Sequence, residues 1–231
     1  MSEVERIRRV YRAYDADAAA HWRWDPTRPG NVLNAVRRSE ALVDLLRRNS
    51  LWPLGDKKVL EIGCGDGDIL TLFRELGVCE ENLHGIDLRP NALARALQRL
   101  PQAKLVEGNG CDLPYPGSSF DLVPLFTVFS SIFADEMMPA IARECERVLR
   151  PGGAVVWYEM RYPNPANREV HAVSRSEIRK YFRGLRPDLR PMTLVPHIAR
   201  HLGSFTPVLF PLLYAIPALR SHWLGLLVKS A

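Results

Sequence analysis

Cysteine is scarce and unclustered: Cys64, Cys79, Cys111 and Cys145 are the only four, and none forms a C-x-x-C pair. A disulfide framework or thiolate metal site is therefore not expected, and reduced thiols in a cytoplasmic protein are. No continuous apolar run reaches the roughly 18 residues that span a bilayer. The first residues, Met1-Ser2-Glu3-Val4-Glu5-Arg6, lack the apolar stretch of a secretion signal. Internal repeats and low-complexity tracts are missing too. What remains is a globular composition, 47% apolar and 25% charged over 231 residues, long enough for one well-filled domain.

Charge is present but uneven. From residue 161 onward there are 11 Lys/Arg against 3 Asp/Glu, whereas residues 51–160 hold 10 against 16. A basic end on an acidic middle suits an anionic substrate, a membrane surface, nucleic acid, or a solvated arginine-rich face.

The apolar pattern divides the chain into three parts. In 1–54, Val4, Ile7, Tyr11 and Tyr14 share one face of a first helix. An aromatic, proline-broken loop at 21–30 precedes a second helix over Asn31–Asn49, with Val32, Val36, Leu42, Val43 and Leu46 inward. In 55–160, nearly all-apolar strands alternate with helices: strands over Lys58–Ile62, Leu83–Leu88, Lys104–Glu107, Phe120–Thr127 and Ala154–Glu159. Such strands imply a parallel sheet covered on both faces. In 161–231 the rhythm changes. Ser174-Arg175-Ser176-Glu177 is a capping box, Met192–Val195 and Trp223–Lys229 read as two more strands, and Pro207, Pro211 and Pro217 forbid one straight helix between them.

The chemistry sits at Val59-Leu60-Glu61-Ile62-Gly63-Cys64-Gly65-Asp66-Gly67, a strand running into three alternate glycines and then a helical pattern. Glycine there permits positive φ and lets a ligand lie against bare backbone, while the helix start offers unpaired N–H groups. A dinucleotide fingerprint G-x-G-x-x-G would need a third glycine where this chain has Asp68; its third glycine comes one residue early, at Gly67.

E-x-G-x-G-x-G, from Glu61, resembles the first motif of class I S-adenosylmethionine-dependent methyltransferases. Gly85-Ile86-Asp87-Leu88, Asn109-Gly110-Cys111-Asp112-Leu113-Pro114-Tyr115, Ser119-Phe120-Asp121-Leu122-Val123 and Leu149-Arg150-Pro151-Gly152-Gly153 resemble the family's later motifs, in order, over roughly 55–160. The resemblance implies a Rossmann-like α/β fold. Its seven-stranded, mostly parallel sheet would have helices on both faces, an N-terminal helical lid and a helical insertion before the last, antiparallel strand. S-adenosylmethionine would be the cofactor and S-adenosylhomocysteine the product. Glu61 would order the loop and meet the methionine ammonium, Asp87 would accept from the ribose hydroxyls, and Asp112 from the adenine amine. Gly63, Cys64, Gly65, Gly67, Leu88, Asn109, Cys111, Leu113 and Thr127 would line the same cofactor. Tyr14, Trp24 and Arg37 would close over it, as N-terminal helices do in relatives.

The fourth strand ends Leu125-Phe126-Thr127-Val128-Phe129-Ser130, without the Asn/Asp-Pro-Pro-aromatic tetrad of relatives that methylate amino groups and without a Pro-Cys pair. A small-molecule acceptor with an oxygen nucleophile is the expectation, in natural-product or glycan synthesis. RNA methylation by the basic end, or a non-catalytic cofactor-binding subunit, are the alternatives. Candidate bases are His197 and His201, four residues apart, and Glu159 at the end of the fifth strand; His171 and His222 are further histidines in that part. No metal is called for. The apolar segment 205–217 is expected to wall an acceptor pocket or a dimer face ahead of touching a membrane, and the flanking arginines suit an anionic or lipid-linked acceptor.

Overall fold

The computed structural model describes residues 1–230. Ser2 caps the first helix, α1 (Glu3–Ala16), through a capping box with Glu5, and Asp17 caps a short α2 (Ala18–Trp24) inside the stretch read as a loop. Pro29, at a position where its missing N–H is harmless, opens α3 (Pro29–Arg48). Its inward face is the expected one at Leu42 and Leu46 but not in its first half. Val32 and Val36 are exposed, and the inward positions are Gly30, Asn34, Leu42, Leu45 and Leu46. The side-chain amide of Asn34 donates to the Leu194 carbonyl at 3.1 Å, so a polar residue holds the place that apolar periodicity assigned to valines.

The alternation then follows: β1 (Val59–Ile62), α4 (Asp68–Glu75), β2 (Leu83–Asp87), α5 (Pro90–Arg99), β3 (Lys104–Glu107), β4 (Phe120–Phe126), α6 (Met137–Val148) and β5 (Leu149–Met160). β5 begins five residues before its expected start because Leu149 already pairs with Phe120, ahead of a register shift. After α7 (Arg175–Tyr181) come β6 (Leu185–Leu194), α8 (Pro196–His201), α9 (Thr206–Tyr214) and β7 (Arg220–Lys229). The strand order is β3-β2-β1-β4-β5-β7-β6, with β1 to β5 parallel and β7 antiparallel to both of its neighbours. β6 is longer than Met192–Val195. Pro187 and Pro191, which cannot donate to a ladder, are tolerated in it because it is the sheet's edge.

Two apolar layers flank the sheet. Leu42, Leu45 and Leu46 of α3 with Phe73 and Leu93 cover one face. Ile141, Cys145 and Val148 of α6 with Ile178 and Phe182 cover the other. A third, smaller cluster of Leu194, Ala199 and Phe210 seats α8 and α9 against Leu33 of α3. Among the described residues no helix is long and apolar enough to cross a membrane.

Strand β7 can lie between β5 and β6 only because Gly225 carries no side chain: a Cβ there would run into the Asp188 carbonyl oxygen and lie 2.7 Å from Leu189 Cδ2. Gly152, with φ +77°, has nothing within 4 Å of such an atom. Gly225→Ala is therefore expected to cost about 3 kcal/mol or more, and Gly152→Ala only the about 1–2 kcal/mol of a left-handed backbone. Denaturant melts of both variants test the order; equal losses would contradict it.

Candidate functional site

The site is built at the carboxyl ends of β1, β2 and β4, where an open α/β sheet leaves a crevice. Leaving β1, Gly63, Gly65 and Gly67 all take positive φ, at 73°, 49° and 79°. Gly67 caps α4 with no side-chain hydrogen bond; the Leu70 N–H of the first turn faces the Glu61 carboxyl, and the amides before it keep their capacity for a ligand. Cβ atoms there would be strained by the positive φ and crowded: one at Gly63 would lie 2.9 Å from Val128 Cγ2, and one at Gly65 would lie 3.0 Å from Arg89 Nη2, which could swing aside. The backbone cradle is thus pinched between the loop after β4 and the start of α5.

Three acidic residues converge on it. Glu61 on β1 is 2% exposed, and its Oε2 has no hydrogen-bond partner. Burial, then the charges of Asp87 and Asp68, push its carboxyl well above the usual carboxylate range. Asp87, buried at the end of β2, accepts from the Gly65 N–H at 2.8 Å and from the Arg89 N–H at 2.9 Å and Nε at 3.2 Å. Two carboxylate oxygens offer about four acceptor positions, so Asp87 shapes the loop and retains room for a hydroxyl. Beyond β3, Asn109 Oδ1 accepts from the Cys111 N–H at 3.1 Å, and Leu113 N–H donates to Glu144 at 2.7 Å. This turn presents Asp112, exposed and without a side-chain hydrogen bond among the described residues. Cys64 joins through its backbone only, since its buried thiol packs where a Cβ of Gly85 would be.

Helix α1 straps this end of the sheet. On one side Arg8 Nε donates to the Leu88 carbonyl at 2.9 Å and pairs with Glu107 at 2.8 Å. On the other, Glu3 accepts from the Phe133 N–H at 2.7 Å and Arg6 pairs with Glu169 at 3.1 Å. Between them Tyr11 lies under the Arg89 guanidinium, 4.5 Å from ring centre to Cζ, with its hydroxyl 3.3 Å from Ser131 Oγ. Burial pushes the Tyr11 phenol up. Tyr14, the residue expected there, instead bonds Asn167 at 2.9 Å and packs edge-on against Tyr11 and Trp24. Tyr11 sits one turn earlier on the same face, so the helical spacing already contained it.

At the β4 end Thr127 is held at φ +56°, a strained value for a β-branched residue, with its N–H on the Tyr158 carbonyl at 2.8 Å. Glu159 corrects an expectation. It is fully buried, and its carboxylate accepts from the Phe129 N–H at 2.6 Å and the Ser130 N–H at 3.3 Å, fixing the loop after Thr127 instead of facing an acceptor. His197 and His201 are also displaced from their expected role. They lie side by side, tilted, on the exposed side of α8, ring centres 4.6 Å apart, with Trp22 against His201. His171 has both ring nitrogens on carbonyls, Ala172 at 3.0 Å and Ile132 at 2.8 Å, and ties a loop. Arg37 points to solvent and pairs with Glu40 at 3.3 Å.

Arg38, unnamed by the sequence reading, turns inward. Its guanidinium lies 5.1 Å from the Tyr158 ring centre and 5.7 Å from that of Phe126, with Nε buried and unpaired. His222 stacks on Tyr158 at 4.8 Å and 6°, while the Tyr158 hydroxyl meets Thr193 Oγ1 at 2.6 Å. Burial and then the Arg38 charge push His222 down to about 4. A cation without a carboxylate, a neutral imidazole and two aromatic rings thus share the sheet end beside the glycine cradle.

Burial pushes Glu159 up to about 7, from 4.5. Its folded value lies above its unfolded one, so its protonated form favours folding. That contribution is complete below about pH 4.5 and lost as pH rises through about 7. Glu159→Gln keeps an oxygen for the Phe129 N–H. Between about pH 6 and about pH 8 it should lose less melting temperature than the parent protein; parallel losses would mean that Glu159 does not titrate there.

Comparison with known proteins agrees with this geometry. The methyltransferase domain family matches residues 60–157. The chain is 29% identical over 167 residues to the demethylmenaquinone methyltransferase of Geobacillus stearothermophilus, covering 70% of this chain and 66% of that protein. It is 35% identical over 112 residues to an uncharacterized methyltransferase of Synechocystis, covering 47% and 49%. The chain thus spans from about half to just under two thirds of these relatives' lengths. Among solved structures, an S-adenosylmethionine-dependent methyltransferase from Mesorhizobium loti superposes with TM-score 0.60 at 19% identity, over 80% of this chain and 95% of that one. A geranyl diphosphate C-methyltransferase from Streptomyces coelicolor, in complex with S-adenosyl-L-homocysteine, does so with TM-score 0.60 at 18%, over 85% and 77%. Residues 60–157 thus match the methyltransferase domain family, and the β3-β2-β1-β4-β5-β7-β6 sheet with its glycine loop has the fold of S-adenosylmethionine-dependent methyltransferases.

Proposed function

We propose that the protein transfers the methyl group of S-adenosylmethionine to an oxygen of a small, negatively charged acceptor. The cofactor fits the residues present. The free Oε2 of Glu61 suits the methionine ammonium, the positive-φ backbone of Gly63, Gly65 and Gly67 lets the ligand lie close with its carboxylate toward the first amides of α4, and Asp87 suits the ribose hydroxyls. Asp112, with Asn109, Cys111 and Leu113 shaping its turn and Leu88 beside it, would hold the adenine, and Thr127 would border the methyl. Bound there, S-adenosylmethionine supplies an electrophilic methyl on a sulfonium, so this chain's contribution is chiefly alignment and exclusion of water. The α1 strap, with Tyr11 beneath it, excludes that water.

The observation that carries the acceptor reading is Arg38, a half-buried cation with no carboxylate partner, set over Phe126 and Tyr158 at the ends of β4 and β5. A guanidinium in that position favours the ionised form of a hydroxyl or acid beside it. His222, pushed down to about 4, is too weak a base to take a hydroxyl proton, so the acceptor would lose its proton to water and meet the methyl already ionised. Sugar acids and phenolic acids of natural-product or glycan synthesis match this chemistry.

Arg38→Met tests the reading on a panel of anionic and uncharged hydroxyl compounds. The KM of the anionic acceptors should rise at least about tenfold, as expected for a lost charged contact, with affinity for S-adenosylhomocysteine unchanged. An equal effect on uncharged acceptors, or none on any, would overturn it.

A further inference from the structure

Leu202–Leu219 contains no charged residue and no histidine, which is unusual for a surface segment. One side of it packs: Thr206 and Phe210 are buried, and Leu213 and Tyr214 lean on the cluster of Leu194 and Ala199. The other side does not. Phe205, Val208, Leu209, Leu212 and Ile216 recur at helical spacing and face outward, with Phe205 67%, Val208 64% and Leu212 63% exposed. A helix apolar on all sides belongs in a core or in lipid, and α9 is covered on one side only.

The frame of this face is cationic, with arginines that make no ion pair of their own among the described residues. Where α8 leads into it, Arg28 donates to the Arg200 carbonyl at 3.4 Å and Arg200 donates to that of Arg23 at 3.0 Å. Arg28 lies 3.9 Å over the exposed ring of Trp22. At the far end Arg161 donates to the Pro217 carbonyl at 3.0 Å and Arg220 to that of Tyr214 at 2.8 Å. Among the described residues, Arg28, Arg200, Arg161 and Arg220 have no carboxylate partner. Burial and the charges of Arg23 and Arg28 together lower the Arg200 value, so these cations repel one another unless an anion comes between them.

We propose that α9, with Phe205 and Ile216 at its ends, is an interfacial helix that lies in the surface of an anionic membrane. The outward stripe enters the acyl boundary, the arginine frame meets lipid phosphates, and Trp22 sits at headgroup level. Charge complementarity selects this occupant over a second copy of the chain, because a two-fold contact across the stripe would set the arginine frame against itself. Tyr214, on the inner side of α9, contacts Met192 Sδ at 3.1 Å, one residue from the Thr193–Tyr158 pair. Docking therefore brings the Arg38 end of the sheet close to the bilayer, where an amphiphilic acceptor would be found. The proposal stands independently of the methyl acceptor.

Sedimentation of the full-length protein with vesicles of phosphatidylcholine, with and without phosphatidylglycerol, tests it. Binding should require phosphatidylglycerol and weaken with salt. The double variant Phe205→Ser/Leu212→Ser should lower it at least about tenfold. Leu97→Ser, at an exposed apolar position on α5, should not lower it. Failure to bind either vesicle, or binding that the double variant leaves intact, would overturn the proposal. So would a dimer that the double variant dissociates without any vesicle binding.

Discussion

A carboxyl group taken out of water without a cation or a full set of donors is among the costliest things a fold can hold. Glu61 is in that position, next to Asp87 and Asp68, at the point where β1 becomes the glycine loop. The surroundings lessen this strain without removing it. Arg89 binds Asp87, Arg95 binds Asp66 at 2.8 Å, and Arg99 binds Asp68, so these three acids each have a guanidinium while Glu61 has none among the described residues. A site that neutralises its rim and leaves its innermost acid unpaired is prepared for a cationic ligand group.

The α1 strap follows from the same arrangement. Its arginines do not approach Glu61. They go to the Leu88 carbonyl and Glu107 on the β2 side and to Glu169 on the β4 side, so the helix spans the crevice while the cation position beneath it stays free. On the β4 side Glu159 does for Phe129 and Ser130 what Asp87 does for Gly65: a buried acid gathers backbone amides and holds a strained turn. Two loops at this end of the sheet are thus each fixed by a carboxylate from the neighbouring strand.

The parts legible in the sequence are those set by local backbone demands. Three alternate glycines announce positive φ, Asp87 closes an apolar strand, and the Ser174–Glu177 box announces its helix cap. The misread parts depend on partners distant in the chain. Asn34 is inward because the Leu194 carbonyl, 160 residues away, needs a donor, and hydrophobic periodicity cannot see that. Arg38 is inward because Phe126 and Tyr158 give its cation aromatic faces, while Arg37 finds Glu40 on the same helix and stays out. The spacing of His197 and His201 correctly made them neighbours but could not say which way α8 would turn them.

The central claim is that Glu61 awaits a cation beside an Asp87-fixed glycine loop. Calorimetric titration of S-adenosylhomocysteine, in buffers of different ionisation enthalpy across pH, measures this directly. A raised carboxyl that must ionise to meet an ammonium releases a proton on binding, and affinity falls as pH drops below its raised value. The account predicts proton release over the range in which free Glu61 titrates, lost in Glu61→Gln, and affinity at least about tenfold weaker in Asp87→Ala. Binding with no proton release, or release unchanged in Glu61→Gln, would contradict it.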